Sequence, residues 1–272
     1  MADDPLAVLR ALSVVREGRV YDLATDLGPE TPSGDPATFA PFRLSPFRVP
    51  LSVTSDDPPP FDFSMEIVSG SLHVGTHIDG LAHIHAAGRT HGGRSRDLWS
   101  DFGWLADGME TVPPFVLRGV LLDVAGHRGV EMIEGAEQIS AEEIRVCAAE
   151  QGTALTPGCA VLVRTGRIAQ FHAGGAGYFD EQCGIGPDAA IWLYENGMRL
   201  LGTDTSGTEA QPMPDPARST HEAMLIERGV HLLEILDLDA LARDGVHEFC
   251  LIVLPLKIVG ATGSWVRPIA IA

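Results

Sequence analysis

From residue 119 onward, apolar segments alternate with segments of helical character, and this alternation restricts the fold more than any other feature of the sequence. Val120–Val124 and Ala160–Arg164 have the pattern of buried strands. Between them, Ser140-Ala-Glu-Glu143 is a capping box that begins a helix ending near Glu150. Strands that alternate with helices pack as a sheet covered by helices. We therefore predict an α/β fold with a mixed sheet, in a single domain that spans residues 1–272.

The other elements are predicted from local periodicity. A stripe of leucines predicts a helix within an N-terminal extension over residues 1–18. Further helices are predicted at Pro187–Asn196, His221–Arg228 and Asp237–Arg243. Strands are predicted at Arg19–Leu23, Phe42–Val53, Phe63–Ser71, Arg199–Gly202, Val230–Ile235, Glu248–Leu254, Lys257–Val259 and Val266–Ala270.

Charge and hydropathy exclude several classes of partner. The formal net charge is −18, whereas nucleic-acid binders and polybasic membrane anchors carry basic patches. The longest uncharged apolar run, Phe249–Leu256, is far shorter than the roughly 20 residues that cross a bilayer. The four cysteines are scattered, without the spacing of a disulfide or zinc framework. We therefore expect a cytoplasmic protein that acts on a small molecule and binds neither nucleic acid nor membrane.

Two familiar site motifs are absent, and a dinucleotide-binding motif is present without the strand that should precede it. The sequence contains neither a G-x-S-x-G nucleophile elbow nor a Walker loop. Gly184–Ala189 matches G-x-G-x-x-A by letter, but the residues before it are not an apolar strand. A helix that starts at Pro187 explains this segment better than a dinucleotide site does.

The residues that carry chemistry are concentrated between Ser71 and His83. His73, His77, Asp79 and His83 supply three imidazoles and one carboxylate in this short stretch, although the whole chain has only 10 histidines. Two histidines and one carboxylate are a common set of ligands for zinc, manganese or iron, with positions left open for water.

The spacing of these residues requires a bend in the chain. In a helix, Asp79 would point away from His73 and His77. In a straight strand all three would share a face, but the two histidines would be roughly 13 Å apart. That separation is too large for metal–nitrogen bonds of about 2 Å. Gly75 lies where the bend is needed, and Gly80 permits a second one. The sequence therefore predicts a kinked loop at a strand end that wraps a metal.

These residues resemble a known family. His73-Val-Gly-Thr-His77-Ile-Asp79-x-x-x-His83 resembles the H-x-G-T-H-x-D-x-x-x-H signature of the cyclase family of metal-dependent hydrolases. This family includes kynurenine formamidase, isatin hydrolase and trans-dienelactone hydrolase. Three further segments resemble its opening strand, central strand and C-terminal signature: Arg19-Val-Tyr-Asp-Leu23, Leu162-Val-Arg-Thr-Gly166 and Leu254-Pro-Leu-Lys-Ile-Val-Gly-Ala-Thr-Gly-Ser264.

The resemblance implies a swivelling β/β/α fold and a homodimer or homotetramer. It implies that His73, His77 and Asp79 bind the metal and that His83 is the proton shuttle. In some members a second metal is bound by a later histidine and glutamate, which correspond here to His221 and Glu234. The implied cofactor is therefore a divalent metal, zinc or manganese, with one or two ions per subunit.

A metal held in this way would activate water for attack on a carbonyl group, and His83 would take up and return the proton. We therefore expect a hydrolase that cleaves the C–N bond of a small amide, either a cyclic amide or imide or an N-formyl amide. A lactone hydrolase and a metal-binding protein without catalytic activity are the alternatives. Phe61, Phe63 and Trp104 flank the motif and are our candidates for the substrate pocket.

Overall fold

The predicted alternation of strands and helices is present in the fold. A computed structural model describes residues 5–50 and 62–272 of the chain. The strands in these ranges are β1 (Val20–Asp22), β2 (Arg43–Pro50), β3 (Asp62–Ser69), β4 (His77–Asp79), β5 (Trp99–Ser100), β6 (Gly103–Trp104), β7 (Phe115–Asp123), β8 (Gln138–Ile139), β9 (Ala160–Arg164), β10 (Gly184–Ile185), β11 (Leu200–Thr203), β12 (His231–Glu234), β13 (Glu248–Val253), β14 (Gly263–Trp265) and β15 (Ile269–Ile271). The helices are α1 (Pro5–Leu12), α2 (Val124–His127), α3 (Ala141–Glu150), α4 (Ile168–His172), α5 (Pro187–Glu195) and α6 (Asp239–Arg243). Short 3-10 turns lie at His91–Gly93, Arg96–Leu98 and Met109–Thr111, and a π-helical turn lies at Glu222–Ile226.

Nine of these strands form one mixed sheet, in the order β1-β15-β13-β7-β9-β11-β12-β4-β14. The four strands β7, β9, β11 and β12 run parallel, as strands joined by helical crossovers do. On one side of this parallel block the sheet continues antiparallel through β13, β15 and β1, and on the other through β4 and β14. The predicted α/β class with a mixed sheet is confirmed.

Apolar side chains are buried on both faces of the sheet. In β7, Val120 and Leu122 join the core under α3 and α5, whereas Leu121 joins the core of the opposite face. Successive residues of a strand point to opposite faces, so a strand covered on both sides is apolar throughout. This explains why β7 and β9 are uninterrupted apolar runs in the sequence.

The capping box is half formed. Ser140 Oγ accepts a hydrogen bond from the Glu143 N–H at 3.2 Å, so α3 begins where the sequence predicts. The Glu143 carboxylate does not complete the box, because it accepts hydrogen bonds from the Arg128 guanidinium at 2.6 and 2.9 Å.

The segment Lys257–Val259 is not a strand, and this prediction is wrong. The sheet strand ends at Val253, and Pro255 has no N–H with which to continue the ladder. The chain turns instead toward β4, where the Gly80 N–H donates to the Thr262 carbonyl at 2.7 Å.

Strands β2 and β3 form an isolated two-stranded hairpin, which we call the hairpin arm (residues 43–50 and 62–69). The sequence predicts a strand at Phe63–Ser71 from alternating polarity, yet every residue of β3 is exposed. The reason is that, within residues 5–50 and 62–272, β3 pairs only with β2, so neither of its faces packs on the nine-stranded sheet. Phe47 and Met65 are opposite each other and share a face with Ile67.

None of the helices among the described residues is long and apolar enough to cross a membrane.

Gly119 offers a test of the packing in the centre of the sheet. It pairs with Phe249 of β13, and a Cβ atom at this position would lie 2.2 Å from the phenyl ring. We expect Gly119→Ala to lower the free energy of unfolding by about 1–3 kcal/mol through overpacking. Gly28→Ala is the control, because no heavy atom lies within 4 Å of its Cβ, and it should change stability by less than about 0.5 kcal/mol. Urea denaturation of metal-free protein measures both; equal stability of the two variants would contradict this packing.

Candidate metal centre

Pairing of short strands brings the candidate ligands together. His77 and Asp79 are the first and last residues of β4. Glu234, at the end of β12, pairs directly with His77 although 157 positions separate them in the chain. His221 lies just before the π-helical turn, and π-helical turns are frequent at functional sites. The four side chains are buried.

The predicted bend at Gly75 is confirmed. Gly75 has a φ of +67°, a conformation that favours glycine, and a Cβ atom there would lie 2.5 Å from Leu27 Cδ2. The bend brings the rings of His73 and His77 to a centroid separation of 5.1 Å, close enough for both to face Asp79.

Asp79 is at the centre of the cluster. His73 Nδ1 donates to Asp79 Oδ1 at 2.8 Å, and His77 Nε2 lies 3.4 Å from the same oxygen. Two groups of side chains that could each hold a metal ion share this carboxylate, namely His73, Asp79 and His83, and His77, Asp79 and Glu234. His83, which the sequence predicts to be a proton shuttle, is therefore as well placed to contact a bound cation as the predicted ligands His73 and Asp79.

The second carboxylate oxygen of Asp79 lacks a partner. Among the residues that the structure describes, nothing donates a hydrogen bond to the buried Oδ2 atom. Its neighbour His221 Nε2 is 3.5 Å away, and that nitrogen also lies 3.3 Å from Glu234 Oε1. A buried charged oxygen without a partner is energetically costly. Carboxylate oxygens and imidazole nitrogens are ligands of zinc and manganese, so these residues fit a divalent cation.

Hydrogen bonds behind the candidate ligands set their orientation. His77 Nδ1 donates to the Gly75 carbonyl at 2.9 Å, which leaves Nε2 facing Asp79 and Glu234. Glu234 Oε1 accepts hydrogen bonds from the N–H and the hydroxyl of Thr208 at 2.8 and 2.9 Å. The hydrogen bond to Gly75 holds the His77 ring in the tautomer that carries hydrogen on Nδ1. A second hydrogen bond of this kind is characteristic of metal-binding histidines.

The carboxylates and histidines of the cluster shift one another's pKa values. Burial alone would raise the pKa of Asp79, but His83 and the other surrounding histidines hold it well below its usual range. Burial would lower the pKa of His221, but the carboxylates of Glu209, Glu234 and Asp79 raise it well above the ordinary value. Buried carboxylates therefore attract positive charge to this site, whether protons or a cation. Because protons and metals compete for such ligands, metal affinity should fall at low pH.

His83 differs from the other histidines. Its ring stacks on that of His73, with centroids 3.9 Å apart, and faces the ring of His221 at 6.2 Å. Burial lowers the pKa of His83 to about 3, against the opposing effect of Asp79. The ring is therefore uncharged at physiological pH.

Two residues of the C-terminal segment form a wall of the site, and sequence reasoning missed both. Thr262 Oγ1 lies 3.3 Å from His73 Nε2. A Cβ atom on Gly263 would lie 2.6 Å from His73 Cε1, so only glycine leaves room for this ring. These residues belong to the segment that resembles the family's C-terminal signature, but the sequence did not reveal what they contact.

The residue that follows Glu234 is strained. Ile235 has a φ of +56°, which is rare for a β-branched side chain. It is held there by hydrogen bonds, since its N–H donates to the Thr205 carbonyl at 3.0 Å and its own carbonyl accepts from Thr76 Oγ1 at 2.6 Å. Strain of this kind is found where the surrounding structure fixes a functional residue.

A cavity of about 460 Å³ adjoins the metal centre at His73. Its apolar walls include Phe39 and Phe179, and its polar groups include Ser206 and Gln211. Such a mixture of apolar walls with a few polar groups is typical of small-molecule sites. The sequence does not identify these residues, because they come from segments remote from the histidine motif.

The predicted pocket aromatics lie elsewhere. Phe61 is outside the described residues. Phe63 is on the hairpin arm, 36% exposed, and Trp104 is buried with its ring 5.1 Å from that of His85. Neither Phe63 nor Trp104 is among the residues that line the cavity beside His73. Their role in substrate binding stays a prediction.

Comparison with known proteins agrees with this geometry. A family model that describes cyclases matches residues 21–210. The chain belongs to the cyclase family. Among solved structures, this cyclase-family chain is similar to one reported as a novel cyclase, with a TM-score of 0.85 and 25% identity over 99% of this chain and 93% of the other. It is also similar to isatin hydrolase A from Labrenzia aggregata, with a TM-score of 0.66 and 26% identity over 93% of each chain.

A curated relative of this cyclase-family chain is the kynurenine formamidase of Bacillus cereus. The two are 40% identical over 82 residues. The match covers 30% of this chain and 36% of the formamidase, so it spans about a third of that relative's length.

Asp79 is the residue on which cation binding should depend most. We expect Asp79→Asn to weaken Zn²⁺ or Mn²⁺ binding by at least about a hundredfold, because it removes the charge shared by both ligand groups. Asp101→Asn, at an exposed position, is the control and should bind as the wild type does. Calorimetric titration of metal-free protein measures the affinities; equal affinity in the two variants would exclude Asp79 as a ligand.

Proposed function

We propose that the protein is a metal-dependent hydrolase that cleaves the C–N bond of a small amide, either a cyclic amide or imide or an N-formyl amide. The observation that carries the proposal is the buried Asp79 carboxylate, which is surrounded by histidines and Glu234 and has an oxygen without a partner. The similarity to a kynurenine formamidase and to isatin hydrolase A supports an amide as the substrate.

The proposed cofactor is zinc or manganese, with one or two ions per chain. His73, His77, Asp79, His221 and Glu234 are the residues that would hold it. A divalent ion, when bound, lowers the pKa of water and polarises a carbonyl group.

His83 is proposed to transfer the proton from the attacking water to the leaving nitrogen. Its neutral ring stacks on His73 and faces the centre of the cluster. The ring can accept a proton from the attacking water and return it to the leaving nitrogen, since a C–N bond breaks readily only when the nitrogen leaves protonated.

The cavity beside His73 is proposed to bind the body of the substrate. Phe39 and Phe179 offer apolar surface, and the Ser206 hydroxyl and the Gln211 amide offer hydrogen bonds to a carbonyl or ring nitrogen. A planar cyclic or aromatic amide fits such a cavity. A lactone would present the same carbonyl group, so the substrate panel includes one.

His83→Ala separates a proton shuttle from a ligand. If His83 transfers protons, the variant should keep its metal content and lose at least about a hundredfold in turnover. The metal content is measured by elemental analysis, and the turnover on N-formylkynurenine, isatin and dienelactone. His85→Ala, in the same loop but packed on Trp104, is the control and should keep both.

Other outcomes of this experiment contradict parts of the proposal. Loss of metal from His83→Ala would make His83 a ligand rather than the shuttle. Hydrolysis of dienelactone alone would replace the amide with an ester. If the fully metallated wild type hydrolyses none of the three compounds while chelation sharply lowers its melting temperature, the metal is structural.

We also propose that the chain assembles as a homodimer or homotetramer through the hairpin arm. A two-stranded hairpin without packing is at best marginally stable in water. Six apolar side chains of the arm are 36–62% exposed, namely Leu44, Phe47, Phe63, Met65, Ile67 and Val68. Four of them, Phe47, Phe63, Met65 and Ile67, share one face and expose on the order of 350 Å² of apolar surface, against roughly 800 Å² per partner in a stable interface. A second copy of the chain is the proposed partner.

The role of the hairpin arm in assembly can be tested on the face that carries Phe47 and Ile67. We expect the double variant Phe47→Ser, Ile67→Ser to shift the molar mass in light scattering from a multiple of 29.0 kDa toward 29.0 kDa. Phe102→Ser is the control, because Phe102 is 91% exposed but lies outside the arm, and it should leave the mass unchanged. A monomeric wild type, or an unchanged mass in the double variant, would contradict the proposal.

We propose a cytoplasmic location as well. The four cysteines are all buried and free of disulfides, as expected for a protein of a reducing compartment.

A further inference from the structure

We propose that Glu209 is a positioning residue, which holds the imidazole of His221 so that its Nε2 atom faces the cation position. The inference rests on the proposed metal-dependent function, although its test needs no substrate. Glu209 lies outside the histidine motif, and neither the spacing of the sequence nor the ligand groups around Asp79 include it.

The contact between the two residues is short and directional. His221 Nδ1 donates to Glu209 Oε2 at 2.6 Å, and the His221 backbone N–H lies 3.3 Å from the same oxygen. One carboxylate oxygen therefore contacts both the ring and the backbone of His221. This arrangement fixes the rotation of the ring as well as the nitrogen that carries hydrogen.

Both partners are held firmly by their surroundings. Glu209 is 5% exposed, and its backbone carbonyl accepts a hydrogen bond from Gln182 Nε2 at 3.2 Å. His221 is 9% exposed and lies next to Thr220, whose hydroxyl donates to the Ile185 carbonyl at 2.6 Å. If either side chain left the contact, a buried polar group would lose its hydrogen-bond partner, which is energetically costly. The hydrogen bond therefore persists.

The orientation of the His221 ring matters because its Nε2 atom faces two carboxylates, those of Asp79 and Glu234. With hydrogen on Nδ1, the lone pair of Nε2 can point toward Asp79 Oδ2 at 3.5 Å and Glu234 Oε1 at 3.3 Å, where a cation would be shared. The Gly75 carbonyl holds His77 in the same way, by accepting a hydrogen bond from its Nδ1 atom. His221, however, has a charged acceptor, and a carboxylate behind a metal-binding histidine also raises its basicity as a ligand.

Zn²⁺ titration of metal-free protein tests this role. We expect Glu209→Ala to raise the dissociation constant of a Zn²⁺ ion by about 10–100-fold. Glu209→Gln keeps the size and a hydrogen-bond acceptor without the charge, so it should restore most of the affinity and guards against a folding defect in the alanine variant. Glu227→Gln is the matched control, because Glu227 is an exposed glutamate near the same π-helical turn.

A second measurement reports on the ring itself. In ¹⁵N-histidine spectra of the Zn²⁺-loaded wild type, His221 should show hydrogen on Nδ1 and a metal-bound Nε2, and at equal Zn²⁺ occupancy the Glu209→Ala variant should lose the metal-bound Nε2 signal. A purely structural role would change the melting temperature and leave Nε2 bound. The signal is assigned by difference from a His221→Gln variant.

The outcomes separate this inference from the proposed function. Equal Zn²⁺ affinity in wild type and Glu209→Ala, or an Nε2–H tautomer of His221 in the loaded wild type, overturns the role of Glu209 alone. No Zn²⁺ binding by the wild type, with Mn²⁺ binding also absent, overturns both. Weakened binding in Glu209→Ala, recovered in Glu209→Gln, supports the inference even if no tested amide is hydrolysed.

Discussion

The burial of the Asp79 carboxylate is the constraint on which the rest of the site depends. Its side chain is completely removed from water, and one of its oxygens has no hydrogen-bond donor among the described residues. Charge of this kind is tolerated in a protein interior only when opposite charge is close by. His77 and His221, whose pKa values are raised by the neighbouring carboxylates, can supply that charge as protons, and a divalent cation can supply it instead. The same groups therefore account for both the stability of the cluster and its fit to a divalent cation.

The pairing of strands in the sheet fixes the positions of these side chains. Strand β4 contains only three residues, yet it lies between β12 and β14, which fix its register on both sides. Glu234 enters from one neighbour and Thr262 from the loop before the other. The strained Ile235 and the bend at Gly75 show that the backbone on both strands is adjusted to this geometry. Rigid positioning of this kind lets a metal site keep coordination positions open for water and substrate.

Much of the fold follows from local sequence rules. Strands β7 and β9 are recognisable because strands covered on both faces are apolar throughout, and α3 and α5 because they begin with Ser140 and Pro187. The failures have equally physical causes. Lys257–Val259 has the composition of a strand, but no strand among the described residues pairs with it. The alternation in Phe63–Ser71 predicts a strand, and such alternation is typical of strands with one buried face, but β3 lies in the hairpin arm and is exposed on both faces.

The sequence by itself determined that three histidines and Asp79 lie within one short segment, and that the chain must bend at Gly75 for them to meet. Those conclusions need only side-chain chemistry and the dimensions of a strand. Only the tertiary structure decided that Glu234 pairs with His77, that Glu209 lies behind His221, and that Phe39 and Phe179 line the adjoining cavity. These contacts join residues far apart in the chain, and their partners are set by strand order and packing, which local periodicity does not encode.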